Sequence, residues 1–179
     1  TGNPSLSRDG KTLYFSSNRP GSMGGVDIWK VSVDGDTYGE PLNLGTKVNT
    51  EGNENFPFIA DDNNTLYFAS SGKQGLGGLD VFQVDISKGT EAVNLGKPVN
   101  TEKDDFAFTF NKAKNLGFFS SNRNGNDDIF SATPICAVDL LVIVTNAKTG
   151  EILANAKVAI LDDKNNVIKT ETSNDKGEV

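Results

Sequence analysis

Residues 12–29 read TLYFSSNRPGSMGGVDIW, and this stretch recurs at 65–82 as TLYFASSGKQGLGGLDVF and, shortened, at 116–130 as LGFFSSNRNGNDDIF. Each copy has an apolar run with aromatic residues, which begins with the β-branched Thr in the first two copies, a polar turn that contains glycine, and a second apolar run introduced by Asp. This pattern predicts two antiparallel strands joined by a loop. Because the copies recur with a period of about 50 residues, the pattern also indicates a repeat architecture.

The repeat extends on both sides of these stretches. Full units cover 3–54 and 55–105, and a shorter unit covers 106–134. Each full unit predicts four short strands, because turn-forming residues separate its apolar runs, as Asp9-Gly10 does ahead of the strand at 12–17. Four short strands in a repeat of this length are typical of a β-propeller blade.

We therefore predict an all-β chain in which residues 1–134 form a partial β-propeller of about two and a half four-stranded blades. Propellers usually close with about four to eight blades. Two full units and a partial third do not close such a ring, so we expect the chain to be a segment of a longer protein.

The pattern changes after the third copy. Apolar runs at 137–144, 158–161 and 167–172 predict three strands separated by polar turns. Three strands make about half of a β-sandwich, since such folds commonly have seven or more. We predict that residues 135–179 are the start of a truncated β-sandwich.

The composition excludes several classes of function. The chain has 179 residues, a net charge of -7, no His and a single Cys. Its acidity argues against nucleic-acid binding, and the lack of His excludes Ser-His-Asp triads and His-ligated zinc. Cys136 has no disulfide partner within the chain, and we expect it to be a small buried apolar residue.

We accordingly predict no enzymatic activity, no catalytic residues, no cofactor and no bound metal. The oxygen-rich turns at 34–36 and 61–64 lack the spacing of a twelve-residue calcium loop, so we interpret them as solvated hairpin turns. No apolar run reaches the length of about 18 to 20 residues that crosses a membrane, and we predict no transmembrane segment.

Asp27, Asp80 and Asp128 occupy the same place in the three copies, just after the glycine-containing turn and before an apolar pair. A carboxylate at this place is suited to accepting hydrogen bonds from the backbone N–H groups of the turn. We predict this structural role for all three. The alternative is a ring of acidic groups that binds cations or a basic partner.

A second group of residues comprises candidates for contact with a partner. The polar turns after the first long strand contain an Arg that can pair with the following Asp or with a partner's carboxylate. Exposed aromatic residues near proline can line a groove for a peptide or a glycan. These candidates are Asn18, Arg19, Asn122, Arg123, Tyr38 and Phe56.

The repeat stretches, with the connectors NLGTKVNTEGNE (43–54) and NLGKPVNTEKDD (94–105), resemble the WD-like, TolB-type propeller repeats of Bacteroidetes OmpA-family envelope proteins. In that family the repeats precede a carboxypeptidase-regulatory-like sandwich and an OmpA-type peptidoglycan-binding domain. The tripeptides TGE, ANA and DKG (149–151, 154–156 and 175–177) are similar to the start of that sandwich.

The resemblance implies a non-enzymatic scaffold at the periplasmic face of the outer membrane, with a lipid anchor as one option. Its expected partners are outer-membrane or periplasmic proteins of type IX secretion or gliding motility. Peptidoglycan would be bound only through a domain that these residues do not contain. The alternative is a periplasmic propeller that binds glycans or peptides, with hydrolysis as one option, since glycoside hydrolysis needs only two carboxylates.

Overall fold

The computed structural model describes residues 1–134 and 140–179, which form two compact units, Thr1–Pro134 and Ile135–Val179. The described residues form strands and turns and no helix, so none of them forms a helix able to cross a membrane. The prediction of an all-β chain is confirmed. The predictions for Cys136 and for the beginning of the strand at 137–144 lie outside the described residues.

The first unit contains three antiparallel sheets that follow one another along the chain. Blade 1 consists of β1 (Gly2–Leu6), β2 (Thr12–Ser17), β3 (Asp27–Asp34), β4 (Thr37–Tyr38) and β5 (Leu42–Asn43). Blade 2 consists of β6 (Glu54–Ile59), β7 (Thr65–Ser70), β8 (Asp80–Asp85) and β9 (Val93–Asn94). Blade 3 consists of β10 (Asp105–Asn111), β11 (Leu116–Ser121) and β12 (Asp128–Ala132).

The outermost strand of each full blade is shorter than a typical strand. In blade 1 the two-residue β5 pairs with the start of β3, while β4 forms a small hairpin with its far end. In blade 2 the two-residue β9 pairs with β8. Blade 2 therefore has the predicted four strands, blade 1 has β4 as an additional strand, and blade 3 has three strands within the described residues.

Equivalent residues pair in the same register in every blade. Phe15 lies opposite Trp29, Phe68 opposite Phe82, and Phe119 opposite Phe130. The rings of the last two pairs stack with centroids 5.9 Å and 5.6 Å apart. Aromatic cross-strand pairs stabilise a sheet by up to about 1 kcal/mol each, which favours this register over a slipped one.

Successive side chains of a strand point to opposite faces of its sheet, so each blade has two apolar faces. Tyr14 and Ile28 of blade 1 share a core with Phe68 of blade 2, and Tyr67 and Val81 of blade 2 pack with the aromatic residues of blade 3. Blade 2 thus buries one face against blade 1 and the other against blade 3.

The burial of one repeated position shows how much this stacking contributes. Ile28 and Val81 are completely buried, whereas Ile129, at the equivalent position of blade 3, is 78% exposed. No further blade covers that face within the described residues. The opposite face of blade 1 carries a separate apolar cluster of Phe15, Trp29 and Val31.

Blade 3 also departs from the repeat at Gly117, which replaces the Leu13 and Leu66 of the other copies. A Cβ at Gly117 would approach the carbonyl oxygen of Thr109 to 2.6 Å and the ring of Phe110 to 3.1 Å. The Phe110 ring therefore fills space close to the position that the leucine side chain would need.

The second unit contains one hairpin, β13 (Lys157–Leu161) and β14 (Val167–Thr172). The described part of the predicted strand at 137–144 forms an isolated bridge between Ile143 and Glu178 instead of a regular strand. Several apolar side chains of this unit are exposed, including Leu140 and Ile168 at 67% and 66%. These side chains are left uncovered by the described residues of the unit.

Two tyrosines at the blade interfaces make the fold sensitive to alkaline pH. Burial raises the pKa of Tyr14 above its ordinary value of 10.0, and the negative charge of Asp9 raises it further. Burial also raises the pKa of Tyr67, with a smaller contribution from the charge of Asp62. The folded chain therefore retains these protons above the pH at which the unfolded chain loses them.

We expect the free energy of unfolding to include a contribution from both tyrosines that is complete below about pH 10 and declines as the pH rises above it. Urea denaturation from about pH 8 to 11.5 measures this decline. The double substitution Tyr14→Phe and Tyr67→Phe should flatten it, while Tyr38→Phe, at an exposed position, should not. Equal slopes in all three proteins would contradict the assignment.

Candidate functional site

The first strands of the three blades, β1, β6 and β10, lie side by side. In a propeller this is the place of the innermost strands, which surround the central channel. The residues of these strands are therefore the natural place to look for a site formed jointly by several blades.

Each innermost strand contains a β-bulge at the same position. Between two regular pairs, two residues of the first strand lie opposite a single residue of the second. The bulged pairs are 3–4 opposite Phe15, 56–57 opposite Phe68, and 107–108 opposite Phe119. Bulges interrupt the ladder and redirect side chains, and they are frequent at the rims of barrels and beside active sites.

The first residue of each bulge has a left-handed backbone although none is glycine. The φ angles are 50° at Asn3, 54° at Phe56 and 53° at Ala107. Asn tolerates this conformation, but a bulky residue such as Phe at positive φ is an outlier. Such strain costs about 1–3 kcal/mol per residue and clusters at functional sites. Its repetition in three blades makes it a built-in feature of the innermost strands.

The three bulges line one depression of about 230 Å³, which we call the bulge site. Its lining residues are Asn3, Pro4, Ser5, Phe56, Pro57, Phe58, Ala107, Phe108 and Thr109. The Phe56 ring lies against Phe106 with centroids 5.0 Å apart. Of the residues predicted to contact a partner, Phe56 is the one that lies in this site.

The chemistry of the bulge site suits binding rather than catalysis. Its lining contains no acid, base or thiol, and its hydroxyl groups are those of Ser5 and Thr109. The Ser5 Oγ accepts a hydrogen bond from the Ile59 N–H at 3.0 Å and so connects blade 1 to blade 2. An apolar surface with a few polar groups and exposed backbone can accept an extended peptide.

The backbone strain at the bulge can be tested by relieving it. We expect Ala107→Gly to raise the free energy of unfolding by about 1 kcal/mol, because glycine adopts positive φ without strain. In the regular strand β7, Ala69→Gly should instead lower it by about 1 kcal/mol. Urea denaturation of both variants measures the difference, and a loss of stability in both would contradict the strain.

Asp27 and Asp80 are buried at the start of the third strand of their blades, at 0% and 1% exposure. The Asp27 Oδ2 accepts hydrogen bonds from the Met23 N–H at 2.8 Å and from the Asn43 amide. The Asp80 Oδ2 accepts them from the N–H groups of Leu76 and Gly77, at 2.9 Å and 3.0 Å. Both carboxylates therefore hold the glycine-rich turn that precedes them.

Asp128 is placed differently from the other two. It is exposed, and its shorter turn contributes no hydrogen bond to its carboxylate within the described part of the chain. The structure does not bring the three carboxylates together, and the described residues contain no group of three or more acidic or Cys side chains arranged to hold a metal ion.

We expect Asp80→Ala to lower the free energy of unfolding by about 2–3 kcal/mol, because two backbone N–H groups of the turn lose their acceptor. Asp128→Ala is the matched control at the equivalent position, and its effect should stay within about 0.5 kcal/mol. Chemical denaturation of the two variants compares them directly. A similar loss of stability in both variants would contradict this assignment, because Asp128 does not make these hydrogen bonds.

Two asparagines hold the connectors, and neither was among the residues predicted from the sequence. The Asn49 amide accepts a hydrogen bond from the Ile28 N–H at 2.8 Å and donates one to the Ile28 carbonyl at 2.9 Å. Asn100 does the same with both backbone groups of Val81, at 2.8 Å each. The repeated letters VNT at 48–50 and 99–101 were the available signal, but the partners lie in a strand about 20 residues earlier.

A carboxylate at the first residue of each following blade completes the connector. The Glu54 carboxylate accepts hydrogen bonds from the N–H and hydroxyl of Thr50, at 2.8 Å and 2.6 Å. The Asp105 carboxylate accepts them from the same groups of Thr101, at 2.6 Å and 2.8 Å. Glu54 and Asp105 are completely buried, so these contacts compensate for the loss of hydration.

Arg123 lies at the junction between blades 2 and 3. Its guanidinium pairs with Asp105 at 2.6 Å and donates hydrogen bonds to the carbonyls of Pro98 and Val99. It also lies over the rings of Phe119 and Phe130, 5.0 Å and 4.7 Å from their centroids. The carboxylate it pairs with therefore precedes it in sequence, whereas the sequence suggested the Asp that follows.

The remaining predicted contact residues lie apart from the bulge site. Asn122 is engaged with the side chain and backbone of Asp104. Asn18 is exposed. Arg19 and Tyr38 line an open groove on the outer face of blade 1.

No protein-family model matches the chain, and no curated protein matches it. Solved structures do match it. TolB from Acinetobacter baumannii is 13% identical, over 84% of this chain and 31% of its own, with a TM-score of 0.51. A putative TolB from Agrobacterium tumefaciens is 17% identical, over 94% of this chain and 47% of its own, with a TM-score of 0.49.

A puromycin hydrolase matches over 83% of this chain and 32% of its own, at 14% identity and a TM-score of 0.36. The chain spans less than half the length of each of these three proteins. At such identities the likeness concerns the fold alone, and it rests on the Acinetobacter protein. The chain contains part of a TolB-type β-propeller.

Proposed function

We propose that the propeller unit is a non-enzymatic protein-binding module and that its bulge site receives a segment of the partner. The observation that carries this proposal is the meeting of three equivalent strained bulges in one depression without a titratable side chain. Strain that recurs at the same position of every blade is retained at a cost to stability, which favours a role in recognition.

The form of the site favours an extended, largely apolar peptide. Each bulge takes its first residue out of the regular ladder, which leaves backbone groups available to a peptide. The rings of Phe56 and Phe58 supply apolar contact area, and aromatic residues dominate the energetics of many protein interfaces. Because the lining is uncharged, specificity would come from shape and from backbone hydrogen bonds rather than from ion pairs.

The place of this module in the cell is proposed from the repeat stretches and connectors described above. These resemble the propeller repeats of OmpA-family envelope proteins, among them PorE, the peptidoglycan-tethered accessory protein of type IX secretion and gliding. We propose that the chain acts at the periplasmic face of the outer membrane, where its partners are secretion or motility proteins. Peptidoglycan binding would belong to a domain outside these residues.

The same geometry weighs against the hydrolytic alternative at the repeat carboxylates. Asp27 and Asp80 are buried and bind the backbone of their own turns, so a glycosidic bond does not reach them. The alternative that remains is glycan binding, without hydrolysis, at the aromatic bulge site. Capture of a protein or of a glycan distinguishes it from the proposed function.

The experiment is affinity capture from envelope fractions of the source organism with the tagged chain, followed by mass spectrometry. Phe56→Asn removes the ring but keeps a residue that tolerates positive φ, as Asn3 does at the equivalent position. We expect this variant to lose its partner, with affinity falling about tenfold or more. Tyr38→Ser, an exposed aromatic outside the bulge site, is the control and should retain the partner.

Capture of the same outer-membrane proteins by the chain and by the Phe56→Asn variant would remove the bulge site from the proposal. If the chain captures no protein but a glycan array retains it, and Phe56→Asn abolishes that retention, the site is a glycan-binding site instead.

A further inference from the structure

The two junctions between blades differ in how tightly they pack around an equivalent tyrosine. Tyr14 of blade 1 lies in the core shared with blade 2 and is 3% exposed. Tyr67, at the same position of blade 2, packs against Phe108 of blade 3 with ring centroids 4.9 Å apart, yet it is only partly buried. The first junction is therefore closed around its tyrosine, and the second is open.

Smaller side chains in blade 3 account for this difference. Blade 2 meets blade 1 with three branched aliphatic side chains, Leu66, Val84 and Ile86. The residues of blade 3 at these three positions are Gly117, Ala132 and Pro134. Phe110, which replaces Ile59, compensates for part of the lost volume. The rest of that volume is left unfilled beside Tyr67.

The turns at this end of the blades differ in the same way. Between blades 1 and 2, the Arg8 N–H donates a hydrogen bond to the Asn63 side chain at 2.7 Å, and the Arg8 guanidinium pairs with Asp61 at 3.2 Å. Among the described residues, no hydrogen bond or ion pair joins the first turn of blade 3 to that of blade 2. The second junction therefore opens into a depression of about 310 Å³, which we call the junction cleft.

The junction cleft is defined by side chains from both blades: Tyr67, Gln83, Phe110, Lys112 and Asn115. Tyr67 and Gln83 lie opposite each other in β7 and β8, so both point to the face of blade 2 that meets blade 3. Phe110 belongs to β10, and Lys112 and Asn115 belong to the turn that follows it. The cleft thus joins an aromatic ring to several hydrogen-bonding groups.

These hydrogen-bonding groups are available to a ligand. Within the described part of the chain, the Tyr67 hydroxyl, the Lys112 ammonium and the side-chain amides of Gln83 and Asn115 make no hydrogen bond to the protein. Burial, and to a smaller extent the charge of Asp62, raise the pKa of Tyr67 above 10.0. Its hydroxyl is therefore protonated at neutral pH and can donate as well as accept a hydrogen bond.

The charges at the cleft offset one another. Asp61 is paired with Arg8. Burial acts to raise the pKa of Asp62, but hydrogen bonds within its turn and the nearby charge of Lys112 lower it below the ordinary value. One carboxylate and one ammonium thus lie near each other at the cleft, which favours a neutral ligand over an ionic one.

A sugar matches these features. The amides of Gln83 and Asn115 each contain a donor and an acceptor, which suits the hydroxyl groups of a sugar ring. The Phe110 ring provides apolar surface for the C–H face of the same ring. The volume lies at the lower end of the range of about 300–1,000 Å³ for small-molecule sites, which favours one sugar residue over a long chain.

We propose that the junction cleft binds a neutral sugar residue, with Tyr67, Gln83 and Asn115 binding its hydroxyl groups and Phe110 contacting its apolar face. The cleft shares no lining residue with the bulge site, so the proposal does not depend on peptide binding there. The propeller unit would then bind a glycan and a protein partner at separate places.

NMR titration of the ¹⁵N-labelled chain with the methyl glycosides of glucose, galactose and N-acetylglucosamine tests this. We expect at least one of them, at millimolar concentration, to shift the backbone signals of residues 65–67, 83 and 110–115. Tyr67→Phe removes only the hydroxyl, and Gln83→Ala removes an exposed amide. Each should weaken binding about three- to tenfold, because each removes a hydrogen bond to the sugar.

The closed junction supplies matched controls. Tyr14 and Lys30 form the pair of blade 1 that is equivalent to Tyr67 and Gln83. Tyr14→Phe and Lys30→Ala should leave the affinity unchanged. Equal weakening by Tyr67→Phe and Tyr14→Phe, or no shift with any of the three glycosides, would overturn the proposal.

Two further measurements separate the cleft from other sites. Loss of glycoside binding in Phe56→Asn would overturn the proposal in favour of the bulge site. Shifts of the cleft signals that appear with inorganic phosphate but not with the glycosides, and that Lys112→Gln abolishes, would overturn it in favour of an anion site. Unchanged glycoside binding in Phe56→Asn is the result expected for the cleft, whether or not the bulge site binds a protein.

Discussion

The arrangement of the blades depends on a carboxylate that is buried at the first residue of each new blade. The carboxylates of Glu54 and Asp105 each accept hydrogen bonds from the N–H and the hydroxyl of a threonine four residues earlier. An ionised group that loses its hydration costs several kcal/mol unless hydrogen bonds replace it. The connector must therefore form its turn for the next innermost strand to dock, which couples the local conformation of the connector to the packing of the blades.

The blades in turn depend on one another for their cores. A sheet with two apolar faces cannot bury both by itself. One repeated position shows this, because Ile28 and Val81 are completely buried by the next blade, whereas Ile129, which no further described blade covers, is 78% exposed. Stability in such an array is approximately a sum over neighbouring pairs. Each connector also contains one asparagine that binds the third strand of the preceding blade. Asn49 binds Ile28 and Asn100 binds Val81, and both strengthen the contact between neighbouring blades.

The innermost strands show where stability is given up. Their bulges lie opposite Phe15, Phe68 and Phe119, which belong to the best-packed positions of the repeat, so a rigid second strand holds each strained residue in place. Strain persists in a protein only where the surroundings over-determine the conformation. The packing between blades therefore also maintains the shape of the bulge site.

Sequence alone determined the elements of this protein whose causes are local. Alternating aromatic and β-branched residues and the period of the repeat predicted the strands and the propeller blades, because side-chain periodicity and turn formation act within a few residues. The backbone N–H groups that donate hydrogen bonds to Asp27 and Asp80 are likewise three or four residues away.

Only the tertiary structure decided three features of the protein: the bulge site, the pairing of Arg123 with Asp105, and the contacts of Asn49. Asp105 lies 18 residues from Arg123, and Ile28 lies 21 residues from Asn49. The three bulges meet only because their strands lie side by side. Local sequence patterns do not predict such contacts, because the contacts form when distant segments and separate blades pack against one another.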